Sequence, residues 1–192
     1  VLAFIGLGLR MYCVGHVPSG TSGRNTEQQV AATLNTTGLY SLTRNPLYFA
    51  NAVIYMAFAL FTQDIFFIAA MGLFLIIYLE RIIAAEEAFL TERFGAAYLD
   101  WAAATPAFFP KPGGWVAPLL PFSWRTALKR EYSGFFAIFV AFFVLDQSRE
   151  LMTRSTDRFD GYWVAALATS AVVYLLLMGM KKHTSLLAVD GR

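Results

Sequence analysis

The stretch Gly38-Leu39-Tyr40-Ser41-Leu42-Thr43-Arg44-Asn45-Pro46-Leu47-Tyr48 ends a polar loop at the point where a long apolar run begins. Its counterpart, Glu86-Glu87-Ala88-Phe89-Leu90, continues through Phe94-Gly95 to Tyr98. Between them lie two apolar runs, Leu47 to Gln63 and Ile65 to Leu79, with only Thr62-Gln63-Asp64 to turn the chain. A helix rises about 1.5 Å per residue and needs roughly 20 residues to cross a ~30 Å hydrocarbon core, so the pair reads as a tight antiparallel hairpin that crosses a membrane out and back. Such a hairpin returns both polar segments to one face, where they form one composite site.

The composition agrees. Hydrophobic residues make up 57%, aromatics 16% and charged residues 15% of the 192 residues, against roughly 25% charged in an average soluble domain. The length allows one domain or at most two. It is read as a single membrane domain over 1–192, with a core at about 36–110 and a C-terminal helical hairpin at about 131–181. The single Cys13 excludes an internal disulfide framework and a cysteine-rich metal site. A net charge of +2, with no basic run interleaved with aromatics, gives no sign of nucleic-acid binding. The chain opens at Val1 inside an apolar stretch, so a start upstream of Val1 is expected, and no signal peptide can be judged from this beginning.

Three further apolar stretches accompany the hairpin. Residues 1–17 form one, interrupted by Arg10; Tyr132 to Leu145 is a second, short enough to be a span or a partly buried or re-entrant helix; Gly161 to Met180 is the clearest by length. Unsatisfied backbone groups are costly in lipid and period-2 alternation is absent, so all are read as helices. The predicted fold is an all-α, polytopic membrane helix bundle of about five transmembrane helices, with a cytoplasmic helical extension after the third. The loop 80–131 carries Arg81, Arg93, Lys111, Arg125, Lys129 and Arg130, and the tail carries Lys181, Lys182 and Arg192. The positive-inside rule assigns that side, with the 18–46 loop, to the cytoplasm. Asp64 and the 146–160 loop fall outside. The expected location is a bacterial inner membrane, with the composite site facing the cytoplasm.

From Glu80 to about Ala104 the composition predicts one helix continuing out of the membrane. Pro106, Pro110, Pro112, Gly113-Gly114, Pro118 and Pro121 then break the chain into an irregular segment, whose Trp115, Phe122 and Trp124 suit the membrane interface. Glu80 and Glu87, seven residues apart, lie within about 20° of each other on that helix, and Glu86 is adjacent. Three carboxylates near a membrane boundary mark either a site for a cation or the solvated start of a cytoplasmic helix. Leu90, Phe94 and Tyr98 follow at helical spacing and either wall an apolar pocket or simply pack.

In the other segment Pro46 suits a first helical turn. Asn45 is placed to cap that helix through its side chain. Arg44 either pairs with a carboxylate or phosphate through its planar fork or anchors the helix at the membrane surface. Tyr40 and Tyr48 are site residues or interfacial belt residues. Gly20, Gly23, Arg24 and Asn25 form a flexible polar stretch. Gly6-Leu7-Gly8 has no strand before it and is no dinucleotide fingerprint, His16 and His183 lack metal-ligand spacing, so no metal is expected, and no nucleophile elbow is present.

Taken together, the two segments resemble the integral-membrane methyltransferases that include isoprenylcysteine carboxyl methyltransferase and the phospholipid methyltransferases. That pattern is approximately Gly-Pro-Tyr, Arg-His-Pro-x-Tyr, a helical hairpin, then Glu-Glu-x-x-Leu-x-x-x-Phe-Gly-x-x-Tyr ending in Pro. The matches are Gly38, Tyr40, Arg44, Pro46 and Tyr48, then Glu86, Glu87, Leu90, Phe94, Gly95 and Tyr98, with Trp101 and Pro106 or Pro110 closing it. Leu39 replaces the Pro, Asn45 replaces the His, and Ala50 stands where a Gly is frequent. The resemblance covers about residues 30–110.

The resemblance implies S-adenosylmethionine as cofactor, with Glu86 and Glu87 on its amino or ribose groups, Arg44, Asn45, Pro46 and Tyr48 close by, Leu90 and Phe94 in the pocket wall, and Tyr40 and Tyr98 enclosing the adenosine end. Arg44, Asn45 and Glu87 are the implied catalytic residues. The implied acceptor is a lipid or lipidated molecule in the bilayer, methylated on a carboxylate or an amine. Methyl transfer from a sulfonium needs positioning and a surrounding suited to a cation, and an amine acceptor needs a base, for which Glu80, Glu86 or Glu87 is at hand. Two other classes stay open: a sterol-reductase-type enzyme using NADPH, whose 2′-phosphate would need a basic site that is not obvious here, and a noncatalytic membrane protein such as an assembly factor or a small transporter, the last of which calls for mid-membrane polar interruptions that are few apart from Arg10 and Asn51. Oligomeric state is left open by the sequence.

Overall fold

The computed structural model describes residues 1–18, 33–153, 161–189 and 191. The polar stretch at Gly20, Gly23, Arg24 and Asn25, part of the 146–160 loop, and Arg192 lie outside them. The described residues form helices α1 (Leu2–His16), α2 (Pro46–Phe61), α3 (Ile65–Phe94), α4 (Ala96–Ala104), α5 (Trp124–Thr153) and α6 (Gly161–His183), with a 3-10 turn at Gly38–Ser41 and no strand. The all-α expectation holds.

Local chemistry accounts for the hairpin. Pro46 opens α2 with its φ already helical and no N–H to satisfy. Gln63 takes the left-handed conformation at φ 57°, which turns the chain within three residues. Asp64 then caps α3, its Oδ1 accepting from the N–H groups of Phe66 at 2.8 Å and Phe67 at 2.9 Å. The helix expected from Glu80 to about Ala104 is not continuous. It stops at Gly95, whose φ of 55° favours glycine, and restarts as the separate α4.

Among the described residues two helices, of the five spans expected, are by themselves long and apolar enough to cross a membrane: α3, with a mean hydropathy of 2.1 over its best window, and α6, at 1.9. Helices α1 and α2 are apolar but have 15 and 16 residues, about 24 Å at most and so short of a ~30 Å core. The expected short fourth span, Tyr132 to Leu145, is the middle of the 30-residue α5. Its first turn is secured by Ser123, whose Oγ accepts from Thr126 N–H at 3.2 Å. Arg130 and Glu131, which the sequence places outside the span, lie inside this helix.

The core sits between α1, α2 and α5, where Ala3, Leu7, Ala57 and Ile138 are buried with Ile54, Phe58 and Phe142 packed around them. Close approach is possible because Gly6 has no side chain: a Cβ there would fall 2.6 Å from Ile54 Cγ1 and 2.8 Å from the Ala50 carbonyl. The same three helices share a buried polar trio. Arg10 donates through Nε and Nη2 to the two Glu131 oxygens at 2.7 and 2.8 Å, and through Nη1 to Asn51 Oδ1 at 2.7 Å. Glu131 is only 3% exposed, and these mutual bonds offset its desolvation. Helix α6 packs antiparallel on α5, with Tyr174 against Tyr132 and Phe136 at one end and Trp163 against Phe142 at the other. Helix α3 instead leaves Phe66 83% and Ile76 65% exposed, the surface expected of a lipid-facing helix.

Candidate functional site

The composite site forms where the sequence places it, at the end of the hairpin away from the Gln63 turn. Arg44, just before α2, meets Glu87 on α3, 43 residues later: Nε lies 3.0 Å from Oε1 and Nη2 donates to Oε2 at 3.2 Å. Its remaining nitrogen, Nη1, donates to the Ala102 carbonyl of α4 at 3.0 Å. One guanidinium thus joins the pre-α2 loop, α3 and α4.

Asn45 does not cap α2 through its side chain, contrary to the sequence expectation. Its Nδ2 turns away from the helix and donates to the Ala107 carbonyl at 2.9 Å and to Glu87 Oε1 at 3.4 Å. These two Nδ2 bonds orient the whole amide away from the first N–H groups of α2, so that its Oδ1 does not reach them. Tyr48, one turn into α2, donates from Oη to Glu86 Oε2 at 3.3 Å. The two adjacent glutamates therefore have different surroundings: Glu87 is gripped by Arg44 and Asn45, whereas Glu86 meets the phenol of Tyr48.

Glu80 shares the face of Glu87 but stands about 10.5 Å along the axis. It is exposed and takes no part in these bonds. Leu90 and Phe94 are half-buried on the same helix, and Pro46 is buried at the start of α2. Tyr98 is buried under α4 with its ring edge-on to Trp101 at 5.7 Å. Trp101 Nε1 is buried without a hydrogen-bond partner, a condition that ordinarily calls for one. Burial, and then the nearby Glu87 charge, push the Tyr98 hydroxyl up to about 12, with Arg44 acting the other way. Burial likewise holds the Tyr40 phenol well above its ordinary value, with the charges of Cys13 and Glu86 adding to it.

The proline-rich segment after α4 is irregular, as expected, and is held as a strap against residues 38–44. Arg44 N–H donates to the Pro106 carbonyl at 2.9 Å, Lys111 N–H to the Leu42 carbonyl at 2.9 Å, and Gly38 N–H to the Val116 carbonyl at 2.8 Å. Thr43, 1% exposed, donates to the Phe108 carbonyl at 2.8 Å. Phe49 of α2 packs edge-on against Phe108 and Phe109. Sequence reasoning passed over Thr43, since its partner lies 65 residues away and a threonine in a polar loop carries no signal.

A helical membrane protein with a carboxylate pair held against an Arg-Asn-Pro helix start is the class that this fold and site define. Residues 20–97 match the family model described as phospholipid methyltransferase, which bears out the resemblance to integral-membrane methyltransferases over that stretch. The chain is also similar to the nickel-cobalt-cadmium resistance protein NccN of Alcaligenes xylosoxydans xylosoxydans, 32% identical over 102 residues, which are 53% of this chain and 43% of NccN. It is 31% identical over 114 residues to the cobalt-zinc-cadmium resistance protein CzcN of Cupriavidus metallidurans, covering 57% of this chain and 48% of CzcN. The chain thus spans less than half the length of these curated relatives. No solved structure matches it significantly. Among the described residues no group of three or more His, Cys, Asp or Glu stands close enough to hold a metal ion.

Proposed function

We propose that this chain is a multi-pass membrane methyltransferase that uses S-adenosylmethionine to methylate a lipid or lipidated acceptor, with its cofactor site on the cytoplasmic face of a bacterial inner membrane. The observation that carries the proposal is the bonding of Arg44 and Asn45 to Glu87, which unites both halves of the methyltransferase pattern in one site. The residues present fit the cofactor. The orphaned donor Trp101 Nε1 suits a ribose or carboxylate oxygen, and Glu86 and Tyr48 supply the carboxylate and aromatic surroundings that a cationic molecule needs.

When bound, S-adenosylmethionine supplies an electrophilic methyl group on a sulfonium. Arg44 and Asn45 hold Glu87 in a fixed position, so that Glu86, one residue earlier, presents its charge toward the ligand. Tyr40 and Tyr98 enclose the site, Leu90 and Phe94 exclude water from it, and Pro46 fixes the helix start that carries Tyr48. The gain comes from orientation of two reactants, for which fixed side chains are the structural requirement. Residues 36–110 serve as the cofactor core of one membrane unit. The relatives' names place NccN and CzcN in metal resistance.

The test is ligand-induced thermal stabilisation of the detergent-solubilised chain by S-adenosylmethionine, its demethylated product and NADPH, repeated with Glu87→Gln. Stabilisation by the first two, lost in the variant, is expected. Stabilisation by NADPH alone overturns the proposal. A lipid extract incubated with methyl-labelled cofactor then reports the acceptor.

A further inference from the structure

A cavity of about 480 Å³ lies between the C-terminal end of α1, the 33–40 segment and residues 118–120 of the strap. Tyr12, His16, Leu34, Tyr40, Pro118 and Leu120 are among the residues that line it. Its volume falls in the range of small-molecule sites, roughly 300–1,000 Å³. Tyr40, which lines it, sits on the Gly38–Ser41 turn, four residues before Arg44 of the candidate cofactor site.

One residue of this cavity has a base's geometry. His16 Nδ1 lies 2.9 Å from the carbonyl oxygen of Tyr12, one helical turn back. A carbonyl only accepts, so the contact assigns the proton of the neutral ring to Nδ1 and leaves Nε2 as the basic nitrogen. The ring is held in place by Tyr12, centroids 4.3 Å apart, and by Phe122 at 5.2 Å. Phe122 reaches this position because Gly15 presents no side chain toward it. Among the described lining residues none is Asp, Glu, Lys or Arg.

We propose that this cavity is the acceptor chamber and that His16 is the catalytic base that deprotonates the acceptor; the inference rests on the methyltransferase reading above. The acceptor it fits is a compact, largely apolar molecule, or the reacting end of one, whose nucleophile carries a removable proton. A carboxylate finds no counter-charge among the described lining residues and needs no base. His16 Nε2 takes the proton of an ammonium N–H or a phenolic O–H of the acceptor. The freed lone pair then displaces the thioether from the sulfonium methyl carbon: a bond to carbon forms, the S–CH3 bond breaks, and its electron pair stays on sulfur. The imidazolium returns its proton to water.

The test uses the full chain in detergent with dodecylamine, 4-nonylphenol and dodecanoate as probes, each measured by equilibrium binding and by transfer from methyl-labelled S-adenosylmethionine. Binding of the amine or the phenol over dodecanoate is expected, with Leu120→Trp weakening it about tenfold or more by filling the cavity while leaving cofactor affinity unchanged. His16→Ala lowers kcat by a factor of order 10² or greater, and added imidazole restores part of the loss, which a packing role alone does not allow. Dodecanoate binding best, indifference of binding to Leu120→Trp, or a full rate in a folded His16→Ala enzyme overturns the inference. Failure of the wild-type chain to bind S-adenosylmethionine overturns the underlying methyltransferase reading instead.

Discussion

Arg44 and Glu87 face each other through two nitrogen–oxygen contacts of 3.0 and 3.2 Å, although 43 residues and a complete helical hairpin separate them in the chain. The side chains are 18% and 25% exposed, between the surface pairs that contribute almost nothing and the buried ones whose rupture costs most. The fork of the guanidinium, with its third bond to the Ala102 carbonyl, makes Arg44 the joint between three elements.

A lysine cannot reproduce that fork. Arg44→Lys is expected to keep the charge yet lose one carboxylate contact and the Ala102 bond. Cofactor affinity, measured by equilibrium binding, falls about tenfold or more, the equivalent of ~1.4 kcal/mol. Tyr48→Phe removes only the 3.3 Å bond to Glu86 and weakens binding less, by up to about tenfold. An Arg44→Lys chain with unaltered affinity would remove the clamp from the mechanism.

Gly6 and Gly8 separate close packing from open space. Gly6→Ala drives a methyl group into Ile54 and the Ala50 carbonyl, whereas a Cβ at Gly8 meets nothing within 4 Å. Gly6→Ala is therefore expected to destabilise by ~1–3 kcal/mol. Gly8→Ala is neutral or slightly stabilising through helix propensity. Denaturation of the two variants in the same detergent compares them directly; equal effects would contradict the α1–α2 contact.

Glu131 is the buried partner of Arg10. Glu131→Leu leaves that guanidinium uncompensated and is expected to cost ~3–5 kcal/mol. Adding Arg10→Met should recover much of the loss, because an apolar pair of similar size replaces the ion pair. A double-mutant cycle measures the coupling, and simple additivity would show that the two charges act independently.

The Tyr98 phenol, raised to about 12 by burial, titrates at about 10 in an unfolded chain. Below pH 10 both states are protonated and the group adds no pH dependence. As pH rises from about 10 to about 12 the unfolded chain releases its proton first, so stability falls across that window. Tyr98→Phe should show a shallower decline there than the parent chain. Parallel alkaline unfolding curves would place the hydroxyl in contact with water.

Much of this was legible along the chain because it is local. The break at Gly95 was not read, since the composition there favours one helix, but Pro46 before an apolar run and Asp64 after Gln63 act through their immediate neighbours. The helix order, the hairpin and the meeting of its two polar ends follow from them. The length of α5 was not legible: the charges at Arg130 and Glu131 look like the end of a span until Arg10, 121 residues earlier, supplies a partner.

The sequence by itself determined that two polar segments meet at one end of a helical hairpin, since helix periodicity and the length of an apolar run are properties of consecutive residues. Only the tertiary structure decided the pairings. Spacing puts Glu80 and Glu87 on one face, but depth along the axis leaves Glu80 exposed and brings Glu87 to Arg44. Asn45 has the position of a cap, but a carboxylate and a strap carbonyl, both remote in sequence, accept from its Nδ2 and turn the amide away from the helix. His16 has no motif around it and gains a candidate role only from the cavity that the strap closes beside it. Partners that compete across the fold are invisible to a reading along the chain, because the free energy that chooses among them depends on three-dimensional distance and burial.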